Sequence, residues 1–225
     1  MRIVVAGAHG QIARRLARLL SSRGDTVVGI IRNPAHESDV VGDGADAVVA
    51  DLESAAPEDV AAVLTDADAV VFAAGAGPGS GAARKDTVDR GAAVLLADAA
   101  ELAGVRRYLL VSSMGVDSVA DGATPEGVDE VFLAYLRAKL AAEQDLLART
   151  ALSTTVLRPG GLTDDPGTGR VTLARHVERG SIPRDDVAAV LVALLDAGAG
   201  ADGAVLELVS GSTRIDEAVS SAGPG

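Results

Sequence analysis

Ile3-Val4-Val5-Ala6-Gly7-Ala8-His9-Gly10-Gln11-Ile12-Ala13 is the stretch from which the rest of the chain can be read. Four apolar residues with no polar alternation suit a strand buried on both faces. Gly7 then allows a reversal, Gly10 leaves the backbone without a side chain, and Ala13 permits close helix–strand packing. Leu16, Leu19 and Leu20 continue with helical spacing. The N-terminus is therefore expected to form strand, tight turn and helix.

The pattern repeats outward from this unit. Strand-length apolar runs occupy residues 3–6, 26–31, 47–50, 69–73, 108–111, 154–157 and 205–209. Helical periodicity covers 11–23, 57–64, 84–103, 128–149 and 184–196. Strands alternating with helices at this spacing predict βαβ units, hence an α/β fold with a doubly wound parallel sheet. Right-handed crossovers leave few topologies open. The chain reads as one domain, residues 1–225, with residues 161–181 the only material for a very small C-terminal substrate lobe. Three loops follow strands, at 75–83 with Pro78, at 115–127 and at 159–170. They are expected at the carboxyl edge of the sheet, where open α/β folds bind ligands. Residues after Ser220 read as a frayed tail.

Composition narrows the classes of function. Aromatics are 2 % of the 225 residues, so the core must be Ala, Val and Leu, and a base-stacking platform is excluded. A formal charge of −12 opposes nucleic acid and anionic membranes as partners. With no Cys there are no disulfides, thiolate metal sites or Cys nucleophile. His9, His36 and His176 fall in different loops without ligand spacing, so no metal is expected. No G-x-S-x-G elbow is present. The pairs Asp164-Asp165 and Asp185-Asp186 read as a loop and a helix start after Pro183. The N-terminal apolar run is too short for a signal sequence, and no run approaches a membrane span. A soluble, cytoplasmic protein is expected, either monomer or homodimer, taking a small-molecule substrate.

The strand–glycine turn–helix context turns a weak motif into a candidate phosphate site. Helix N-terminal N–H groups and the positive dipole end would face a pyrophosphate. About 20 residues on, where an acidic residue would hold a ribose 2′-hydroxyl, stands Arg32, suited to a 2′-phosphate. Asp51 and Leu52, after the third strand, are placed to edge an adenine. The chain has two Lys, and one of them, Lys139, follows Tyr135 by four positions on a predicted helix. That spacing stacks both on one face. An ammonium beside a phenol favours its ionised form, so Lys139 is expected to make Tyr135 a usable proton donor and acceptor near neutral pH. The strand ending at Val111 leads to Ser112-Ser113-Met114-Gly115 at the same sheet edge. Ser113, on the opposite face from Ser112, is the candidate to hold a substrate oxygen. Arg158 ends another strand nearby and either meets a substrate carboxylate or pairs structurally.

Together Gly7-Ala8-His9-Gly10-Gln11-Ile12-Ala13, Ala73-Ala74-Gly75, Val111-Ser112-Ser113-Met114-Gly115, Tyr135-Leu136-Arg137-Ala138-Lys139 and Leu157-Arg158-Pro159-Gly160 resemble the short-chain dehydrogenase/reductase superfamily. More narrowly the chain is similar to its atypical and extended branch, which includes nucleotide-sugar epimerases and small NADPH-dependent flavin or quinone reductases. The resemblance implies a Rossmann fold holding NADP, with NAD less favoured, on Gly7, His9, Gly10, Gln11, Ile12, Arg32, Asp51 and Leu52. It implies that Ala73, Ala74 and Gly75 flank the cofactor, Lys139 holds its ribose, and Pro159 and Gly160 lie against the carboxamide. It gives Tyr135 the acid/base role and Ser113 substrate orientation. Ala13 replaces the usual third glycine, His9 replaces Thr, and the C-terminal lobe is small for a sugar-nucleotide enzyme. The expected activity is hydride transfer between nicotinamide and a small carbonyl, alcohol, quinone or flavin. The alternatives are a sugar epimerase or dehydratase, and a non-catalytic NADP(H)-sensing protein.

Overall fold

The computed structural model describes residues 1–77 and 79–222. Its strands are β1 (Arg2–Ala6), β2 (Thr26–Ile31), β3 (Asp46–Val49), β4 (Ala69–Phe72), β5 (Arg107–Val111), β6 (Ser153–Pro159), β7 (Gly161–Thr163), β8 (Arg170–Ala174), β9 (Ser181–Pro183), β10 (Val205–Ser210) and β11 (Thr213–Arg214). Its α-helices are α1 (Gln11–Ser22), α2 (Glu37–Gly42), α3 (Pro57–Val63), α4 (Ala82–Arg84), α5 (Ala93–Ala103), α6 (Glu130–Ala148), α7 (Arg184–Ala197) and α8 (Ile215–Ser221). Among the described residues the main sheet has nine strands in the order β11-β8-β10-β6-β5-β4-β1-β2-β3. From β10 through to β3 every pairing is parallel, and β8 and β11 add an antiparallel edge. The order reverses between β1 and β4, which is the switch point where such sheets bind ligands. The chain is thus the doubly wound α/β domain that the alternation predicts.

Two apolar layers sandwich the sheet, as strands without polar alternation require. On one face Ile3, Val5 and Leu109 pack with Leu16 and Leu20 of α1 and Leu191 and Leu194 of α7. On the other, Val4, Val70 and Leu110 pack with Val60 of α3, Leu96 of α5 and Leu146 of α6. Phe72 and Tyr108 are fully buried in the second layer, and the Tyr108 hydroxyl donates to Ala93 O at 2.9 Å. Burial pushes that phenol well above its ordinary pKa, so it titrates nowhere near neutrality.

Three departures from the expected elements have local causes. The helix expected over 84–103 is α4, then a π-helix Lys85–Ala92, then α5, so its first half is wound to i→i+5 bonding. The helix expected from 128 starts at Glu130, because the Asp129 side chain accepts from the Val131 and Phe132 N–H groups. Residues 161–181 do not gather into a lobe of their own. β7 pairs with β9, while β8 joins the main sheet. α2, β7, β9 and β11 are too short for periodicity to reveal, and β8 and α8, although as long as β1 and α3, were not anticipated. The expected tail is helical to Ser221; Pro78 and residues 223–225 lie outside the described residues.

Candidate active site

The first turn is built as the glycines require. Gly7 has φ +77°, and its N–H and that of Ala8 donate to Ile30 O on β2 at 3.1 Å. A Cβ on Gly7 would lie 2.6 Å from Ala74 Cα, inside any permitted contact, so the turn and the end of β4 approach backbone to backbone. Gly10 precedes α1 in extended conformation, and no side chain caps the helix. The helix also has no acidic residue in its first turn. Its N-terminal N–H groups are therefore left for an anion.

Beside this turn lies a cavity of about 420 Å³. It brings together Gly7, His9, Gly10, Arg32, Asp51, Leu52, Ala73, Ala74 and Gly75, all of them sequence candidates. Bare backbone at Gly7 and Gly10 and uncapped helix N–H groups fit the pyrophosphate of a dinucleotide, and Arg32 lines the same cavity. Asp51 also has a turn-forming role, since its Oδ1 accepts from Glu53 N at 3.1 Å. Gln11, Ile12, Lys139, Pro159 and Gly160 are not among the lining residues. Gln11 is exposed and its Oε1 accepts from Arg15 at 2.8 Å, and Ile12 packs on the α1 core. Gly160 is held beneath the β7–β9 sheet, its N–H donating to Leu208 O at 2.9 Å.

The cavity also contains residues that sequence reasoning missed. Glu53, Arg84 and His36 line it. The His36 ring stacks on His9, centroids 3.6 Å apart and planes 10° from parallel. His9 Nε2 lies 2.9 Å from Asp39 Oδ2. That hydrogen bond, with nearby Arg14, holds the Asp39 carboxyl below its ordinary range.

Tyr135 and Lys139 share a face of α6 as the spacing predicts, but the ammonium is committed elsewhere. Lys139 Nζ donates to Val111 O at 3.0 Å and Ala74 O at 3.4 Å, and lies 3.3 Å from Asp89 Oδ1. Asp89 is wholly buried, and its Oδ2 accepts from Ala76 N at 3.2 Å. Oδ1 has no well-aligned hydrogen-bond partner, so its contact with Lys139 is electrostatic. The buried carboxylate compensates the charge expected to act on the Tyr135 hydroxyl, and the ammonium stands 5.9 Å from the ring centroid. The chain's other lysine, Lys85, lies closer, at 5.5 Å from the same centroid, and donates to Gly77 O at 2.9 Å. Lys85 is largely buried, and no carboxylate lies within ion-pair distance of it among the described residues. The signal for it in the sequence was its rarity alone. Tyr135 is half-buried, stacked on Phe132 and packed with Val116, Val119 and Leu136.

The two serines lie just beyond the end of β5 and have different partners. Ser112 is buried and its hydroxyl donates to Glu143, whereas the Ser113 hydroxyl stays at the loop, donating to Met114 O at 3.1 Å. Arg158 resolves as a structural partner. Its Nε reaches both Glu143 carboxylate oxygens at 3.1 Å, and Nη1 reaches Asp117 Oδ2 at 2.7 Å. Burial works to lower the guanidinium's pKa, but Glu143 and Asp117 outweigh it and the net shift is upward. This network ties β6 and α6 to the turn that follows Ser113. No group of three or more His, Asp or Glu with metal-holding geometry occurs among the described residues. None of their helices is long and apolar enough to cross a membrane.

Comparison with known proteins agrees with this geometry. Residues 7–198 match a family described as NAD(P)H-binding. A Bacillus subtilis (strain 168) protein named as an uncharacterized sugar epimerase is 35 % identical over 220 residues, covering 97 % of this chain and 99 % of its own. A Bacillus halodurans structure described as an NAD-dependent epimerase/dehydratase superposes with a TM-score of 0.86 at 35 % identity, covering 98 % of this chain and 99 % of the other. An anaerobilin reductase from Escherichia coli O157:H7 does so with 0.78 at 27 % identity, covering 95 % and 99 %.

Proposed function

The chain belongs to the NAD(P)H-binding family of oxidoreductase- and epimerase-like Rossmann proteins, and from that premise we propose that it is an NADP-dependent oxidoreductase acting on a small carbonyl, alcohol, quinone or flavin. The observation carrying the reading is the bare glycine turn and uncapped α1 N-terminus beside a 420 Å³ cavity that Arg32 also lines, with Lys85 the ammonium nearer the Tyr135 ring, at 5.5 Å. When bound, the nicotinamide supplies or accepts hydride. Gly7, Gly10 and the α1 N-terminus would hold the pyrophosphate and Arg32 the 2′-phosphate. Ala73–Gly75 would line the path between them. Lys139 would meet a ribose hydroxyl by giving up its longest hydrogen bond, to Ala74 O at 3.4 Å. Ser113 would hold the substrate oxygen while Tyr135 moves its proton.

We expect the protein to work in the cytoplasm, as monomer or homodimer. Thermal unfolding with NADPH and NADH at matched concentration tests the cofactor. At about 100 times the Kd a ligand adds roughly 2.7 kcal/mol, several degrees for a domain of this size. The expected result is a larger shift with NADPH, lost in Arg32→Gln. Equal shifts with the two nucleotides refute the NADP reading. For turnover, Tyr135→Phe should abolish carbonyl reduction and spare hydride transfer to flavin, which needs no protein-bound proton. Surviving carbonyl turnover refutes the Tyr135 role. The names of the two Bacillus relatives favour a second reading, an epimerase or dehydratase. Its mark would be a nucleotide that co-purifies and resists dialysis.

A further inference from the structure

Glu53 is where three elements converge on the adenosine half of the cavity. Its Oε2 accepts from Arg32 Nη1 at 2.9 Å and from Arg84 Nη2 at 2.8 Å, and its Oε1 accepts from Thr87 Oγ1 at 2.6 Å. Arg32 follows β2, Arg84 closes α4, and Thr87 lies in the first turn of the π-helix. Both guanidinium groups therefore reach one and the same oxygen atom, and Arg32, Glu53 and Arg84 all line the cavity. Two cations share a single negative charge here, which leaves one charge unmatched. A phosphate, with about −1.5 to −2 charges and three acceptor oxygens, matches two guanidinium groups better than a carboxylate does.

Building on the reading that this cavity takes the adenosine half of NADP, we propose that Arg84 is a second guanidinium for the 2′-phosphate. On this proposal Glu53 is its built-in competitor, holding the phosphate's place in the free protein. Arriving phosphate must displace Glu53 from the arginine pair. A ribose 2′-hydroxyl, without charge, cannot. Glu53 keeps the two guanidinium groups together and half-compensated when no nucleotide is present, and it lowers the affinity for the phosphorylated nucleotide in return. Discrimination is thus set by three residues spread over 32–84 rather than by Arg32 alone.

The test uses calorimetric titration of the full chain with adenosine 2′,5′-bisphosphate and with AMP, which differ by the 2′-phosphate only. Removing one like charge at about 4 Å in a solvated site is worth about fivefold in affinity. Glu53→Gln should accordingly tighten the bisphosphate about fivefold and leave AMP within about twofold. Glu53→Ser should shift in the same direction. Arg84→Gln should weaken the bisphosphate about tenfold without changing AMP, as loss of a charge-assisted bond does, and Arg84→Lys should restore part of it. Unchanged or weaker bisphosphate binding in both Glu53 variants would show Glu53 to be a brace and overturn its competitor role. Unchanged binding in Arg84→Gln would remove Arg84 from the site. Wild-type protein that does not distinguish bisphosphate from AMP would refute the NADP reading itself. A preference lost in Arg32→Gln, kept in Arg84→Gln and untouched by the Glu53 variants would refute this proposal alone.

Discussion

Replacing Arg158 by Met removes the cation from the buried network under the Ser113 turn. The side chains of Arg158 and Glu143 are 8 % and 2 % exposed, so their pairing is shielded from water. The partner Asp117 is 66 % exposed and contributes little, since such pairs are worth about 0–1 kcal/mol. Without Arg158 the Glu143 carboxylate keeps only the Ser112 hydroxyl as a side-chain partner. Breaking a buried pair from one side costs about 3–5 kcal/mol. In a domain of this size that is a fall in Tm on the order of 10 °C. Removing both charges, in Arg158→Met with Glu143→Leu, leaves no stranded carboxylate and should recover most of the loss. The assay is urea and thermal unfolding of the wild type, the two single variants and the double variant, read as a double-mutant cycle. A loss below about 1 kcal/mol in Arg158→Met, or a double variant no more stable than it, refutes the reasoning.

Gly7→Ala places a methyl 2.6 Å from Ala74 Cα at a φ of +77°. Left-handed strain of about 1–2 kcal/mol plus overpacking of about 1–3 kcal/mol should lower Tm by several degrees and abolish nucleotide-induced stabilisation, checked by calorimetry. Acid should destabilise the fold through Asp25. Burial acts to raise that carboxyl, but the amino terminus and Arg23 outweigh it and hold it below its usual 3.8. Its folded pKa is depressed, so its contribution is present above the unfolded value and is lost as pH falls below about 4 through the folded value. Asp25→Asn should flatten the acid limb of a stability–pH curve, and an unaltered limb would show that the pairing contributes nothing.

Most of the fold was legible because it rests on local pattern. Ile3–Ala6, Val27–Ile31 and Leu109–Val111 are uniformly apolar, and Gly7 and Gly10 mark the turn into the first helix. The cavity's glycine turn and Arg32 were legible for the same reason, since each sits at a strand end whose position the alternation fixes, whereas Ala73–Gly75 was pointed to by the family resemblance alone. The charges that tune the site were not. Asp89 meets Lys139 across 50 positions of chain, and Arg84 meets Glu53 across 31. Such pairings depend on how helices lie across the sheet, which no spacing rule encodes. Tyr135 and Lys139 were found through their i, i+4 spacing, while the carboxylate that compensates the lysine lies on another helix and left no local mark.

The π-helix Lys85–Ala92 supplies Lys85, Thr87 and Asp89, so one irregular segment touches the cavity at Glu53 and the Tyr135 region at once. Its i→i+5 bonding is a sparsely used register, held in place by packing against α6 rather than by intrinsic preference. A segment of this kind opens at a lower free energy than the sheet beneath it. On warming, amide protons of Lys85–Ala92 should exchange ahead of those in β1, β4 and β5. The capacity to retain nucleotide should disappear while far-ultraviolet dichroism is still that of the intact domain.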